Sequence, residues 1–326
     1  QSMADFETAI SLKPSYAEPH LNKSLQLLLL GDFKAAWPLY EWRWKTEKKV
    51  NKPLITSKPT WRGEIDSKVL LWAEQGIGDE IMFASLIPEL AKLCKNLTVN
   101  CDKRLIPLFK RSFPENINFQ SDQKKVMQES YDFHIPMASV PSILRQTIDS
   151  FKNGSKAYIQ CDIAKAREAR ELILEGATKK IIGVNWKSAS TLPGANYRNI
   201  ELIELALSLE AQNVQLVSLQ YGDVSIEIKK LKDNYNIDVL EIKDIDNQKD
   251  IDSLAALIMA CDQVVSIDNA TAHLAGALGA QTKLLLPFNH SWQWGLEGTV
   301  SYWYNSVKLF RQKSIGCWSD ILRQLN

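Results

Sequence analysis

Apolar positions change their period twice along the chain. From residue 5 to about 45 they recur at helical spacing: Phe6, Ala9 and Ile10 share a face, Pro14 ends that segment, and further helices run over 17–30 and 33–44 on either side of Gly31-Asp32. Residues 47–63 contain Pro53 and Pro59 without a sustained period, as a connection does. The continuous apolar run at 69–73 then predicts a buried strand, Gly76-Ile77-Gly78 a tight turn, 79–94 an amphipathic helix and 97–101 the next strand. A helix over 105–113, a weak strand near Ile117, a strand over 133–135 and a segment over 140–151 continue the alternation to about 160. A second series follows: strand 180–186, a loop to Arg198, helix 200–211, strand 214–219, helix 226–232, an acidic loop, helix 251–260, strand 263–267, helix 271–278 and strand 282–286. Such alternation predicts two α/β lobes with parallel sheets behind a short all-α segment.

The predicted division is helices over 1–48, a first lobe over 49–165, a second over 166–300 and a tail helix over 301–326 packing back across the lobes. Open parallel sheets take ligands beyond the carboxyl ends of their strands, so a cleft between two lobes is the expected site.

The composition agrees with a globular chain of this size. With 326 residues, 45% of them hydrophobic, there is enough apolar surface for more than one core. Thirty-nine basic against thirty-eight acidic residues leave a net charge of +1, so no global field draws in nucleic acid or an anionic membrane. The aliphatic run at 27–30 is far below the roughly 20 residues of a membrane helix, and no segment before it resembles a signal peptide. Five scattered cysteines (Cys94, Cys101, Cys161, Cys261, Cys317) fit neither a disulfide framework nor a zinc site and read as reduced core residues. The cytoplasm is the expected location. The opening Gln1-Ser2-Met3 reads as an added or truncated start, with the natural chain expected to extend upstream.

Two motifs carry candidate chemistry. In Ala73-Glu-Gln75-Gly76-Ile-Gly78-Asp79-Glu80 a strand feeds a glycine turn, whose missing side chains let a substrate approach the backbone. Asp79 opens the following helix, either as a general base for an acceptor hydroxyl or as an N-cap; spacing leaves both open. Neither the three-glycine dinucleotide pattern nor a Gly-Lys-Ser/Thr phosphate loop is present. The second motif runs over 264–279. A strand ends in Asp268, and Asn269, Ala270, Thr271 and Ala272 open a helix whose amides and positive dipole end suit a diphosphate. Asp268 as a cap only, and His273 as a packed ring only, are the competing readings.

Taken in order, the Gly78-Asp79 element, the SIDNATAHLAGALGA element at 266–280, and Trp292-Gln-Trp294, Trp303-Tyr304 and Leu309-Phe-Arg-Gln312 resemble the heptosyltransferase-like glycosyltransferase family 9 from about Trp61 onward. Phe6, Ala9 and Pro14, then Gly31, Ala36 and Tyr40, match successive places of a tetratricopeptide repeat, so the resemblance is to the subgroup fused to such repeats. One and a half repeats do not stand alone, so these helices are expected to pack on the next domain or continue an upstream array.

The resemblance implies two Rossmann-like lobes of the GT-B type and inverting transfer from a nucleotide-diphosphate sugar, with no metal and no resident cofactor. It implies Asp79 as the base, with Gln75, Gly76 and Gly78 as the acceptor-side loop, and the 268–273 turn as the donor diphosphate site. Ser218 and Gln220 resemble a donor-side loop; Asn185-Trp186-Lys187 and Arg198 resemble the loop that reaches into the cleft. Lys187 or Arg198 would then stabilise the departing diphosphate. True heptosyltransferases place a lysine and an acidic residue where this chain has Tyr197-Arg198 and Gln220, which weighs against an ADP-heptose donor and a lipopolysaccharide acceptor. Tetratricopeptide helices commonly hold peptides, so a polypeptide or glycan acceptor and a protein partner on the repeat helices are expected by analogy.

Other features read blandly. Asp244-Ile-Asp246 and Asp250-Ile-Asp252 resemble an Asp-x-Asp metal motif but fall in a charge-rich stretch over 241–252 that reads as a solvated loop. Trp292, Trp294, Trp303 and Tyr304 read as packing before sugar stacking. His20, His134 and His290 have no partner spacing of a ligand set. The opposing reading of the whole chain is a non-catalytic repeat scaffold with a degenerate transferase domain, and a third is a GT-B-fold sugar-nucleotide epimerase.

Overall fold

A computed structural model describes residues 2–47, 53–122, 130–152, 156–188, 195–210 and 214–325. The chain divides into two compact units: Gln1–Ile106 with Phe113–Ser155 and Ser291–Gly298, and Pro107–Ser112 with Lys156–His290 and Thr299–Asn326.

In the first unit three helices lead: α1 (Met3–Leu12), α2 (Ala17–Leu30) and α3 (Phe33–Tyr40), the last running into a 3-10 turn, Glu41–Trp44. Gly31 ends α2 in the left-handed region (φ 82°), and Asp32 caps α3 through the Ala35 amide at 3.2 Å. These helices do not stand apart from the α/β part. Phe33 packs on Phe151 (centroids 4.9 Å apart), and the Trp37 indole donates to the Arg145 carbonyl at 2.6 Å. Trp37 is 1% exposed, and a large apolar side chain buried so fully contributes roughly 1.5–3 kcal/mol or more.

The sheet of this unit is parallel, in the order β3-β2-β1-β4, from β1 (Lys68–Trp72), β2 (Asn96–Asn100), β3 (Asn118–Gln120) and β4 (Phe133–Pro136). Val69, Leu70, Leu71 and Trp72 are all buried, as a central strand covered on both faces requires. The helix predicted over 79–94 is instead two, α4 (Ile77–Ala84) and α5 (Ile87–Leu93). Pro88 sits in the first turn of α5. Its ring crowds the carbonyl four residues earlier and it has no amide to donate, which favours a break in the helix just before it. Gly78, expected in a turn, lies inside α4, and Gly76 is the N-cap. The segment over 140–151 becomes a short helix, α7 (Pro141–Leu144), and a 3-10 turn, Ile148–Phe151.

The second unit takes α6 (Ile106–Ser112) from residue 107 on, and α8 (Ile163–Leu174). The division therefore falls before α8 rather than at 165/166. Asp162 caps that helix through the amides of Ala164 and Lys165, at 3.0 and 3.1 Å. Its six-stranded parallel sheet has the order β10-β9-β8-β5-β6-β7, from β5 (Lys180–Asn185), β6 (Val214–Ser218), β7 (Val239–Leu240), β8 (Gln263–Ile267), β9 (Thr282–Leu286) and β10 (Val307–Arg311). Helices α9 (Leu202–Glu210), α10 (Ser225–Tyr235), α11 (Ile251–Ala260) and α12 (Ala270–Leu278) connect the strands. Gly183 in β5 admits close packing: a Cβ there would lie 2.6 Å from Leu219 Cδ1.

The tail differs most from expectation. Residues predicted as a helix over 301–326 supply β10, paired in parallel with β9, and only a short helix, α13 (Ser319–Leu322). Val307-Lys308-Leu309 alternates buried and exposed, the period-two signal of an edge strand. Residues 291–298, expected within the second lobe, belong to the first unit, where Trp292 meets the rings of Trp37 and Tyr40 edge-on.

Candidate functional site

Each sheet reverses its strand order once, and those switch points decide where side chains converge. In the first sheet the reversal lies between β1 and β4, and the loop 73–76 leaves the end of β1. Asp79 follows in the first turn of α4, half-buried, while Gly76 occupies the N-cap. Gln75 donates to the Tyr40 hydroxyl at 2.8 Å. The N-cap reading of Asp79 thus gives way to a first-turn carboxylate, favoured there by the helix dipole.

Two further carboxylates near Asp79 in the chain, Glu74 and Glu80, are not singled out by the sequence pattern. Burial pushes Glu74 up to about 7 although Arg43 opposes the shift; its Oε1 accepts from Arg43 Nη2 at 3.2 Å and from the Ala138 amide at 3.3 Å. Burial also raises Glu80 to about 7, with Oε2 accepting from the Asp102 amide at 2.8 Å. Acidic residues just after a buried strand were the only signal that could have marked them. A pocket of about 470 Å³ in this unit is lined by Trp44, Trp61, Trp72 and His134 among others. Its indole N–H groups are already used, by Glu41 (3.1 Å), the Glu64 carbonyl (2.8 Å) and His134 Nδ1 (3.1 Å).

In the second sheet the reversal lies between β5 and β8. Asn185 ends β5 fully buried, donating to the Leu219 carbonyl at 3.2 Å and to Thr271 Oγ1 at 3.4 Å. Asn269, just past β8, donates to Asn185 Oδ1 and to the Lys187 carbonyl. Gln220 Oε1 accepts from the amides of Trp186 and Lys187, at 3.1 and 2.9 Å, and its Nε2 donates to the Lys187 carbonyl at 3.1 Å. Asn185, Lys187, Gln220, Asn269 and Thr271 are therefore brought into one network, with Ser218 Oγ accepting from the Gln220 amide at 3.3 Å. Arg198 Nη1 donates to the Asp268 carbonyl at 3.2 Å and lies 3.8 Å from its carboxylate. Residues 189–194 of the predicted loop lie outside the described residues.

Three expectations change. The amides of Thr271 and Ala272, expected to await a phosphate, are capped by Asn269 Oδ1 at 3.0 and 3.4 Å. Lys187 forms an ion pair with Glu227, which also accepts from the Trp186 indole at 2.9 Å. His273 is turned into the core, where Nδ1 shares a hydrogen bond of 2.9 Å with the Tyr304 hydroxyl; desolvation holds its pKa below the usual range while Asp268 opposes the shift. Ala272 is fully buried, and Ala270 sits at the helix start.

A polar pocket of about 500 Å³ opens beyond the carboxyl ends of β6 and β7, lined by Ser218, Gln220, Tyr221, Gly222 and residues 241–248. Asn247 joins the two sides, its Nδ2 donating to the Gln220 carbonyl at 3.0 Å. The stretch over 241–252 is therefore not only a solvated loop. Asp246 accepts from the amides of Gln248 and Lys249, Asp250 caps α11 through the Ser253 amide, and Asp252 is buried against Arg111 at 2.5 and 3.1 Å. Among the described residues, no group of three or more His, Cys, Asp or Glu could hold a metal ion. No described helix is long and apolar enough to cross a membrane.

Solved structures share this fold over three quarters of the chain. A glycosyltransferase family 9 structure from Veillonella parvula matches with a TM-score of 0.53 at 13% identity, over 76% of this chain and 87% of that one. The ADP-heptose lipopolysaccharide heptosyltransferase II of E. coli matches at 0.52 and 14%, over 76% and 91%. The fold is that of glycosyltransferase family 9 structures. In sequence, the chain is 28% identical to Protein FlbA of Caulobacter vibrioides over 98% of its own length, and spans 57% of that relative. No family model matches the chain.

Proposed function

We propose that the protein is a metal-independent, inverting glycosyltransferase of the GT-B type that moves a sugar from a nucleotide-diphosphate donor to an acceptor hydroxyl. The observation that carries this reading is the network of Asn185, Gln220, Asn269 and Thr271 at the β5/β8 switch point, with the polar pocket on its Ser218–Gln220 side. The fold shared with heptosyltransferase structures supports it.

In the proposed reaction the acceptor oxygen attacks the anomeric carbon as the bond to the diphosphate breaks. Asp79 takes the acceptor proton and the nucleoside diphosphate departs. Negative charge builds on the diphosphate, so Arg198 and Lys187 stabilise the transition state. The phosphate reaches the α12 amides by exchanging with the Asn269 side chain.

The N-terminal helices are read as a tetratricopeptide-like segment, with a polypeptide or glycan as acceptor and a partner on those helices. A cytoplasmic location fits the five free cysteines. The capped α12 amides and the Lys187–Glu227 pair favour one rival reading, a non-catalytic scaffold.

Thermal-shift screening of nucleoside diphosphates, then sugar-nucleotide turnover in the presence of a chelator, separates the two. The transferase reading expects binding and turnover, with Asp79→Asn lowering turnover by about 10²- to 10⁴-fold and leaving donor affinity unchanged. Tight binding without turnover under any acceptor supports the scaffold.

A further inference from the structure

The loop that leads into the helical turn of Asp79 is gripped by side chains from far earlier in the chain. The switch point of the first sheet is flanked by the loop 73–76 after β1 and by the 3-10 turn Met137–Ser139 after β4. Arg43, from the turn after α3, reaches this point with its side chain 3% exposed. Its Nη2 donates to Glu74 Oε1 at 3.2 Å and to Ser139 Oγ at 2.7 Å, and Nη1 donates to Glu41 at 2.7 Å. The guanidinium also lies 4.8 Å from the Tyr40 ring centroid and 4.5 Å from that of Trp44. The Glu74 side chain is 1% exposed, and its other oxygen, Oε2, is buried with no hydrogen-bond partner.

One residue on, Gln75 donates to the Tyr40 hydroxyl. Gly76 then caps α4, and a Cβ on Gly76 would stand 3.5 Å from Asp79 Oδ2. Two successive loop residues are thus held by two residues of the N-terminal segment, directly ahead of the helical turn that presents Asp79. Arginine spreads its donors over two nitrogens in a rigid plane, Nη1 meeting Glu41 while Nη2 meets Glu74 and Ser139; a lysine would have to reach all three from a single nitrogen on a flexible stem.

We propose that Tyr40 and Arg43 are positioning residues that set the loop 74–76, and with it the Asp79 carboxylate, so that the N-terminal helices form a working part of the acceptor-side site. This rests on the reading of Asp79 as the proton acceptor. A misplacement of about 1 Å at a reacting group costs on the order of 10²-fold in rate, so a clamp of this kind acts on turnover rather than on donor binding.

The test uses the full chain in two arms. In the first, hydrogen exchange of peptides covering 73–82 is followed by mass spectrometry in wild type, Arg43→Lys, Tyr40→Phe, Glu74→Gln and Asp79→Asn. Arg43→Lys and Glu74→Gln are expected to speed exchange there at least tenfold while peptides of the six-stranded sheet exchange as in wild type. Tyr40→Phe is expected to give a smaller rise, and Asp79→Asn none.

In the second arm, with a turned-over donor, Arg43→Lys is expected to lower kcat at least tenfold with the donor KM unchanged. Exchange over 73–82 that stays as in wild type in both Arg43→Lys and Glu74→Gln overturns the proposal, as does an Arg43→Lys enzyme with wild-type kcat. Tyr40→Phe, which removes one hydroxyl only, keeps the test open should a charge variant fail to fold. A wild type that transfers sugar from no donor would overturn the reading of Asp79, while the exchange arm still decides whether Arg43 sets the loop.

Discussion

The side-chain oxygen of Asn269 accepts the amide of Thr271 at 3.0 Å, so helix α12 arrives with its amino end already capped. The same side chain donates to Asn185 at the end of β5, tying the two strands of the switch point together. A cap and a cross-strand tie in one residue give Asn269 a structural role, to which the proposed reading adds exchange with the donor phosphate.

Replacing it measures the first role. Asn269→Ala removes an acceptor from the α12 amides and the partner of Asn185 Oδ1. Loss of a cap costs about 1 kcal/mol, and a buried polar atom left without its partner about 1–3 more. Chemical denaturation is expected to register a loss of about 2 kcal/mol or more; a change within a few tenths would mean that water replaces both bonds.

Arg198 tests the donor side. It donates to the Asp268 carbonyl and lies 3.8 Å from the buried Asp268 carboxylate, so thermal unfolding of the variant is recorded beside its binding to separate lost stability from lost affinity. On the proposed reading Arg198→Ala weakens nucleoside-diphosphate binding by about 10- to 150-fold, since a charge-assisted hydrogen bond contributes about 1.5–3 kcal/mol. Isothermal titration with wild type and variant gives the ratio directly. Equal affinities would remove Arg198 from the donor site.

The small residues of α12 let Tyr304 lie against it. A Cβ on Gly276 would come within 2.5 Å of Tyr304 Cγ, closer than two carbons can approach. Gly276→Ala gains helix propensity worth about 1 kcal/mol, yet overpacking costs about 1–3 kcal/mol or more. The ring must also keep its hydroxyl on His273. Net destabilisation is expected, read as a lower unfolding midpoint; a stabilised variant would show that Tyr304 can withdraw freely.

Acidity acts through Glu80. Burial raises its carboxyl to about 7 from the ordinary 4.5, so the folded state holds a proton that the unfolded chain has released between those values. A raised pKa contributes stability in full below about 4.5, and that contribution is lost as pH rises through about 7. Glu80→Gln keeps an acceptor for the Asp102 amide and removes the titration. The variant should therefore gain on wild type between pH 4.5 and 7, by up to about 3 kcal/mol, in unfolding curves recorded at both ends of that window. Parallel curves would show that Glu80 is ionised without penalty.

Local pattern alone specified most of the elements. Apolar runs such as Val69–Trp72, and the helix stops at Pro14 and Gly31, act through neighbouring residues and backbone sterics, which is why strands β5, β8 and β9 and helices α1, α2 and α11 fall close to where the pattern puts them. The alternation also announced parallel sheets, because only a crossover of about a helix's length can join parallel neighbours. Where the structure departs from the local pattern the reason is still local: Pro88 splits a helix, and the two-residue period at Val307 makes a strand.

The rest depended on partners distant in sequence. That Asp252 would be buried against Arg111, that Asn269 would cap its own helix while holding Asn185, and that Arg43 would meet Glu74 are consequences of strand order, which a linear pattern does not contain. The sequence named the residue types at the ends of the strands. Burial then decided which of them hold one another, because a polar group taken out of water must find its partner wherever the fold brings one.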